Sequence, residues 1–160
     1  MKNPIISKTL LLLIFCSLVL LHPACGFAGE GALAGEEEAA VKVDLQGLIT
    51  SAGNGEAEAQ LKLGNMNYRG RGITKDYKQA FTWYEKAALQ ENAEAQYNLA
   101  NMYLKGQAVP RDYVFSYMWF NLSSAGGYGP ASSSLDSLEA KMTPRQIARA
   151  QRMSRELRKK

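Results

Sequence analysis

The hydrophobic positions of this chain follow two different patterns. Residues 10–21 (LLLLIFCSLVLL) form one continuous run without a charge. Further along, apolar residues lie three or four positions apart, as at Ala59, Leu63 and Met66. That spacing places side chains on one side of an α-helix. We therefore expect an apolar leader followed by a domain of amphipathic helices.

The run at 10–21 predicts a signal peptide. A membrane-spanning helix needs about 20 apolar residues, whereas this run has twelve and follows a basic start. A basic start, a short apolar run and small residues beyond it are typical of a secretory leader. We expect cleavage after Ala28, with Ala24 and Gly26 as alternatives, so that 1–28 is the signal peptide and 29–36 a flexible linker. A lipidated Cys25 and an uncleaved leader remain as alternatives.

The rest of the chain contains an internal repeat of 36 residues. Segment 57–92 matches segment 93–128 at eleven positions without a gap, beginning with Ala-Glu-Ala-Gln in each copy. Similarity at such a period is typical of supersecondary units that bury their apolar faces by stacking. Each copy begins with good helix formers and continues into an aromatic-rich stretch, so each copy predicts two helices.

Residues suited to helix ends recur at the same offset. Gly70 and Gly106 can adopt the left-handed backbone that ends a helix. Asp76 and Asp112 can accept hydrogen bonds from the first N–H groups of the following helix. The predicted helices are approximately 56–68, 77–89, 93–104 and 113–124, with one earlier helix at 37–50 and two later ones at 130–142 and from Thr143 onward.

The repeated segments resemble Sel-one-like repeats, which are relatives of the tetratricopeptide repeats. The resemblance rests on AEAQLKLGNMNYRGRGITKDYKQAFTWYEKAA and on the later AEAQYNLANMYLKGQAVPRDY. It covers residues 57 to about 128, and the end of the chain resembles the shortened closing helix pair of such proteins. The second copy departs from the pattern at Ala100 and Ala108, where the first copy has Gly64 and Gly72.

The resemblance implies an all-α fold, a short α-solenoid of stacked antiparallel helix pairs with capping helices. Within a repeat domain of 37–160, repeat 1 would be 57–92, repeat 2 would be 93–128, and 129–160 would be a degenerate closing pair. It also implies a non-catalytic scaffold or adaptor that binds a protein or peptide. Such a chain would be exported, and would act in the periplasm or as a secreted protein of the bacterial cell envelope.

The first helix of each repeat predicts the binding surface. First helices line the concave side of helix-pair solenoids, and one stripe on each lies roughly opposite Leu63. The predicted partner-binding residues are Glu58, Leu61, Asn65, Tyr68, Glu94, Tyr97, Asn101 and Leu104. We expect Asn65 to lie beside Asn101, where the two amides could hold a peptide backbone. A solvated stripe, with Tyr97 buried between repeats, is the alternative.

The composition removes most catalytic chemistry from the repeat domain. Both cysteines and the only histidine, His22, precede residue 29 and would leave with the leader. Without them the chain cannot form a cysteine nucleophile, a Ser-His-Asp triad or a histidine metal site. We therefore expect no catalytic residue, no metal and no cofactor. The remaining acids Glu58, Asp76, Glu94 and Asp112 recur in both copies, as capping and surface residues do.

The C-terminal segment is strongly basic. The chain carries a formal charge of +4, which falls to +2 when the leader removes Lys2 and Lys8. Eight basic residues and one acid lie between Lys141 and Lys160. An amphipathic basic helix could contact an anionic membrane, and the alternative function is therefore that of a membrane-attached accessory protein. The other interpretation of this segment is a helix that caps the last repeat. The segment has no aromatic residue to stack on bases, so we expect no nucleic acid partner.

Overall fold

A computed structural model describes residues 44–159, and the regular elements in this range are helices. Their bounds are α1 at 44–53, α2 Ala57–Arg69, α3 Tyr77–Leu89, α4 Ala93–Lys105, α5 Tyr113–Ala125, α6 Pro130–Glu139 and α7 Pro144–Leu157. The predicted signal peptide at 1–28 and linker at 29–36 lie outside the described residues.

The helices pack as consecutive pairs. α2 lies against α3 and α4 lies against α5, while α3 also packs on α4 and so joins the two pairs. α5 contacts both α6 and α7, which close the stack. This arrangement confirms the predicted all-α solenoid of helix pairs.

The helix ends form at the residues that the sequence marks as caps. Oδ1 of Asp76 accepts hydrogen bonds of 2.8 and 3.1 Å from the backbone N–H groups of Lys78 and Gln79. Asp112 makes the same two bonds at the start of α5. Gly70 and Gly106 follow α2 and α4, each with a φ of 70°. These local hydrogen bonds fix where each helix begins and ends.

Two further sets of repeat-equivalent residues between the helices have a left-handed backbone. Gly55, Glu91 and Gly127 are each 36 residues apart, and their φ angles are 99°, 62° and 84°. Gly72 and Ala108 form a second equivalent set, with φ angles of 74° and 65°. Glu91 and Ala108 are the members that carry a Cβ, which is costly in this region of the backbone.

α1 extends further than its sequence predicts. The predicted helix ends at Thr50, whereas helical structure continues to residue 53 and the turn follows at 54–55. Ala52 is buried in this extra turn, and its carbonyl accepts a 3.0 Å hydrogen bond from the side chain of Gln60. Ala52 packs with Ala59 and Leu63 in a small apolar cluster. This burial and this hydrogen bond stabilise the last turn of α1 against α2.

The main apolar core continues through both repeats and the closing helices. Its largest fully buried side chains include Tyr84, Leu99, Met102 and Phe120. Small residues let the aromatic rings approach: a Cβ added at Gly64 would lie only 2.7 Å from Cδ1 of Tyr84. The pairing of small and aromatic residues therefore sets how closely α2 and α3 pack.

α7 uses its apolar side to cover the last repeat. Ala150 and Ser154 are buried, and Ile147, Met153 and Leu157 pack against the main core. Four arginines of the other side are exposed, namely Arg145, Arg149, Arg152 and Arg155. Arg158, predicted on that side, follows the helix and lines a cleft with Gln96 and Leu122. Thr143 and Gln146 form a capping box at the start of the helix. No helix within residues 44–159 is long and apolar enough to cross a membrane.

Candidate functional site: a groove along the first helices

Two neighbouring clefts follow the first helices of the repeats. The first, which we call the inter-repeat cleft, has a volume of about 230 Å³ and is lined by Tyr68, Tyr84, Tyr97, Asn98, Asn101 and Lys105. The second, the closing cleft, has a volume of about 430 Å³ and is lined by Tyr97, Leu104, Pro130, Ser133, Ser134, Ser137, Leu138 and Lys141. The two clefts share Tyr97, and together we call them the first-helix groove.

The groove takes side chains from four helices. Tyr68 comes from the end of α2, and Tyr84 reaches it from α3. α4 contributes to both clefts, while α6 and Lys141 after it form the far wall of the closing cleft. The groove therefore depends on the stacking of repeat 1, repeat 2 and the closing pair.

Tyr97 is held between the two clefts by other aromatic rings. Its ring centroid lies 5.3 Å from that of Phe120 and 5.0 Å from that of Tyr128, in tilted geometry. The side chain is half-buried. Packed aromatic pairs of this kind restrict a ring while leaving an edge available for contact. Tyr97 is thus a fixed wall of both clefts.

Tyr68 is fixed in a similar way at one end of the inter-repeat cleft. Its ring lies 5.2 Å from the ring of Tyr77 and 6.4 Å from that of Tyr84. Its hydroxyl donates a 2.9 Å hydrogen bond to Oε1 of Gln107, in the loop after α4. This bond joins repeat 1 to repeat 2 at the edge of the cleft.

Asn65 lies beneath the inter-repeat cleft and joins three helices. Its Oδ1 accepts a 2.8 Å hydrogen bond from the hydroxyl of Tyr84 and a 3.3 Å bond from Nδ2 of Asn98. The predicted neighbour, Asn101, instead donates a 3.0 Å hydrogen bond to the carbonyl of Tyr97 on its own helix. The residue of α4 that is hydrogen-bonded to Asn65 is thus Asn98, while the predicted proximity of Asn65 and Asn101 stays a prediction.

Burial raises the pKa of Tyr84 and of Tyr128. Burial raises the pKa of Tyr84 well above its usual range; the nearby Tyr68 and Glu94 add to the increase, and Arg69 opposes it. Burial, followed by Glu94 and Tyr97, also raises the pKa of Tyr128. Tyr84 consequently keeps its proton at physiological pH and acts as the donor to Asn65.

The structure gives the predicted site residues different surroundings. Tyr68, Tyr97, Asn101 and Leu104 line the first-helix groove. Leu61 is only 3% exposed and lies in the main core. The expectation that Leu61 contacts a partner is therefore wrong, because α2 turns this side chain into the apolar interior.

Neither of the two predicted glutamates lines the first-helix groove. Glu58 lines a separate cleft of about 580 Å³ where α1 meets α2, together with Asp44, Gly47, Leu48, Ser51, Glu56, Ala59 and Lys62. Glu94 is half-exposed at the start of α4 and is among the lining residues of neither part of the first-helix groove. Four of the eight predicted partner-binding residues therefore line the first-helix groove.

Sequence reasoning missed Asn98 and Lys105, which directly follow the predicted Tyr97 and Leu104 on α4. Asn98, Asn101 and Lys105 are spaced by three and four residues, and all line the inter-repeat cleft. The same helical spacing was available in the sequence, but the predicted stripe was centred on Tyr97 and Leu104. Tyr84 was also missed, and no local pattern identifies it because it enters the groove from a second helix.

The acids of the described range do not assemble into a metal site. Within residues 44–159, no three His, Cys, Asp or Glu side chains are close enough to hold an ion. Asp76 and Asp112 use their carboxylates to cap α3 and α5. A capping role accounts for both members of this repeat-equivalent pair.

Comparisons with known proteins support the repeat architecture. The family model described as the Sel1 repeat matches residues 57–92 and 93–128. A protective antigen with an SLR fold from uropathogenic Escherichia coli is 33% identical; the alignment covers 76% of this chain and 26% of the antigen, with a TM-score of 0.69. This chain thus spans about a quarter of that protein. A comparison with curated proteins gave no match.

A second solved structure is similar over most of its own length. It is a Sel1 repeat protein from Oxalobacter formigenes, 36% identical, with a TM-score of 0.57. The alignment covers 58% of this chain and 70% of that protein. Sel1 repeat proteins generally mediate protein–protein interaction, and the fold is typically a non-catalytic scaffold. The repeat match, the stacked helix pairs and this similarity together show that the chain belongs to the Sel1 repeat family.

Proposed function

We propose that this chain is a non-catalytic scaffold that binds an extended segment of a partner protein in the first-helix groove. The observation that carries the proposal is that the two clefts adjoin at Tyr97, which lines both of them. First helices line the concave side of helix-pair solenoids, which is their usual binding surface. A segment lying across α4 would contact repeat 1, repeat 2 and the closing pair together.

The groove offers contacts suited to a peptide backbone and to apolar side chains. Asn98 and Asn101 each use one N–H of the amide within the protein, at Asn65 and at the carbonyl of Tyr97. An amide group has two N–H donors and a carbonyl acceptor, so each can also bond a passing backbone. Tyr97 and Leu104 provide apolar area beside them.

Site-specific photo-crosslinking tests the groove as the binding surface. A photoreactive phenylalanine derivative at Asn101 of the full chain should give discrete crosslinked products in cells. The same group at Thr82, which is exposed on α3, should not give them. Adding Asn98→Ala to the Asn101 probe should reduce the products, while circular dichroism should show that the chain stays folded despite the lost bond to Asn65. Identical products from positions 101 and 82 would place binding elsewhere.

We also propose that the chain is exported and works in the periplasm or outside the cell. The basic start, the apolar run 10–21 and the small residues before Ala28 support a cleaved leader. The mass of the purified mature chain decides this: loss of 1–28 supports export with cleavage. A lipid mass on Cys25, or an intact leader, would instead indicate membrane attachment.

Membrane contact through α7 is a second candidate because four exposed arginines, Arg145, Arg149, Arg152 and Arg155, lie on its outer side. The apolar side of α7 packs on the core, so such contact would be electrostatic and without insertion. Sedimentation with phosphatidylserine-containing vesicles at physiological salt tests it. Pelleting that Arg145→Gln with Arg149→Gln reduces would support the contact, and absence of pelleting would exclude it.

A further inference from the structure

Basic residues recur at the repeat offset beside the first-helix groove. Arg69, Lys105 and Lys141 are each 36 residues apart, at or just beyond the ends of α2, α4 and α6. Lys105 lines the inter-repeat cleft and Lys141 lines the closing cleft. Arg69 lies close enough to Tyr84 to affect the pKa of its hydroxyl. Each unit of the stack therefore presents a cation at the same edge.

The helix dipole explains the positions of only some of these three basic residues. A cation in the last turn of a helix interacts favourably with the helix dipole, which explains Arg69 on α2 and Lys105 on α4. Lys141 lies two residues beyond the end of α6, where the dipole effect falls off. What Lys105 and Lys141 share is their position on the lining of a cleft.

The charged side chains that line the groove are all basic. Neither cleft has an acidic residue among its lining side chains, although Glu94 lies near enough to affect the pKa of Tyr84. The separate cleft between α1 and α2 has the opposite character, since Asp44, Glu56 and Glu58 line it beside a single lysine. The first-helix groove and the cleft between α1 and α2 therefore differ in the charge of their lining.

We propose that the first-helix groove selects an acidic segment of its partner, with one carboxylate pairing with Lys105 in the inter-repeat cleft and another with Lys141 in the closing cleft. This inference rests on the proposed function, and it names the chemistry of the partner. An extended chain rises about 3.3 Å per residue, so two acids of one extended segment can be spaced to reach both lysines. The amides of Asn98 and Asn101 line the same cleft as Lys105 and can bond the backbone of the segment.

Lys105 and Lys141 are exposed, so the ion pair that each forms with a partner carboxylate contributes modestly to the affinity. One exposed ion pair changes affinity by a factor of roughly 1.4 to 5, so two of them predict a preference of roughly two- to thirtyfold for an acidic over an uncharged peptide at low salt. Added salt should reduce this preference because it screens exposed charges. Contacts to Tyr97 and Leu104, being apolar, should be less sensitive to salt.

The test is the anisotropy of a fluorescent peptide rich in glutamate and tyrosine, titrated with the full chain. A peptide with glutamine in place of every glutamate is measured beside it. The glutamate peptide should bind roughly two- to thirtyfold more tightly. Lys105→Gln with Lys141→Gln should remove the difference. Arg145→Gln with Arg149→Gln makes the same change in net charge on the outer side of α7 and should keep it.

The possible results separate this inference from the proposed function. Equal binding of both peptides, lost in Asn98→Ala with Asn101→Ala, would overturn the acidic preference while leaving groove binding intact. An equal reduction of the acidic preference by the variant Arg145→Gln with Arg149→Gln and by the variant Lys105→Gln with Lys141→Gln would overturn the inference. The preference would then be non-specific attraction to positive charge. Binding of neither peptide would overturn it as well, and crosslinking from position 101 would then decide the proposed function independently.

Discussion

The hydroxyl of Tyr84 donates a 2.8 Å hydrogen bond to Oδ1 of Asn65 across the two helices of repeat 1. Tyr84 is 2% exposed, so this hydroxyl is satisfied inside the protein. Asn65 receives a second bond from Asn98 of repeat 2. One amide oxygen therefore links both helices of the first repeat to the first helix of the second.

Tyr84→Phe should destabilise the fold by about 1 kcal/mol, because it removes the donor while Asn65 keeps only the longer bond from Asn98. Urea unfolding followed by circular dichroism measures the change. Tyr103→Phe is the matched control, since it keeps the ring contacts with Phe81 and Phe115 and should change stability less. Equal effects in the two variants would contradict a role for the Tyr84–Asn65 bond.

Stability should fall as the pH rises above about 10, the ordinary pKa of tyrosine. Burial is the main cause that raises the pKa of Tyr84, Tyr103, Tyr117 and Tyr128. Below pH 10 both states keep these protons, so the stabilisation is fully present. Above it the unfolded chain loses them first, which favours unfolding. Urea midpoints across this range should show the decline, and Tyr84→Phe should make it shallower than in the parent chain.

Gly64→Ala should destabilise the chain by about 1–3 kcal/mol, as overpacking does. The new Cβ would meet Cδ1 and Cε1 of Tyr84 at 2.7 Å, and the buried ring has little space to move. Gly47→Ala in α1 is the control, because its Cβ has no atom within 4 Å and helix propensity favours alanine. Thermal unfolding should therefore shift in opposite directions in the two variants; a stabilising Gly64→Ala would contradict the close contact.

Ala108→Gly should stabilise the chain by about 1 kcal/mol. Ala108 has a φ of 65° where its repeat equivalent, Gly72, has 74°, and a Cβ costs roughly 1–2 kcal/mol in that region. Ala148→Gly makes the same chemical change at an exposed position inside α7, where glycine is unfavourable by about 1 kcal/mol. Opposite shifts of the urea midpoint are expected, and a loss of stability in Ala108→Gly would show that the strain is absent.

The sequence predicts the helices well because their signals are local. Asp76 and Asp112 cap the helices that directly follow them, and Gly70 ends the helix that directly precedes it. The same 36-residue offset then carries the prediction from one repeat to the next. Leu61 and Leu63 show the limit, since both are buried although they were expected on opposite sides of α2.

The groove was harder to predict because it depends on how helices stack. Tyr84 and Asn98 meet at Asn65 only after α2, α3 and α4 pack together. Tyr97 and Leu104 belong to one stripe along α4, and Asn98 and Lys105 belong to the stripe one residue further on. Helical spacing alone does not show which stripe faces the groove, since the residues of both are three or four positions apart.

The left-handed positions at Gly55, Glu91 and Gly127 recur every 36 residues, so the chain enters each successive unit through the same backbone geometry. Units joined in this way are interchangeable modules. Tandem duplication of 93–128 would then preserve the junctions on both sides and add another cation at the position of Lys105. The length of partner that such a protein can bind would grow with its number of copies, without any redesign of the contacts within one copy.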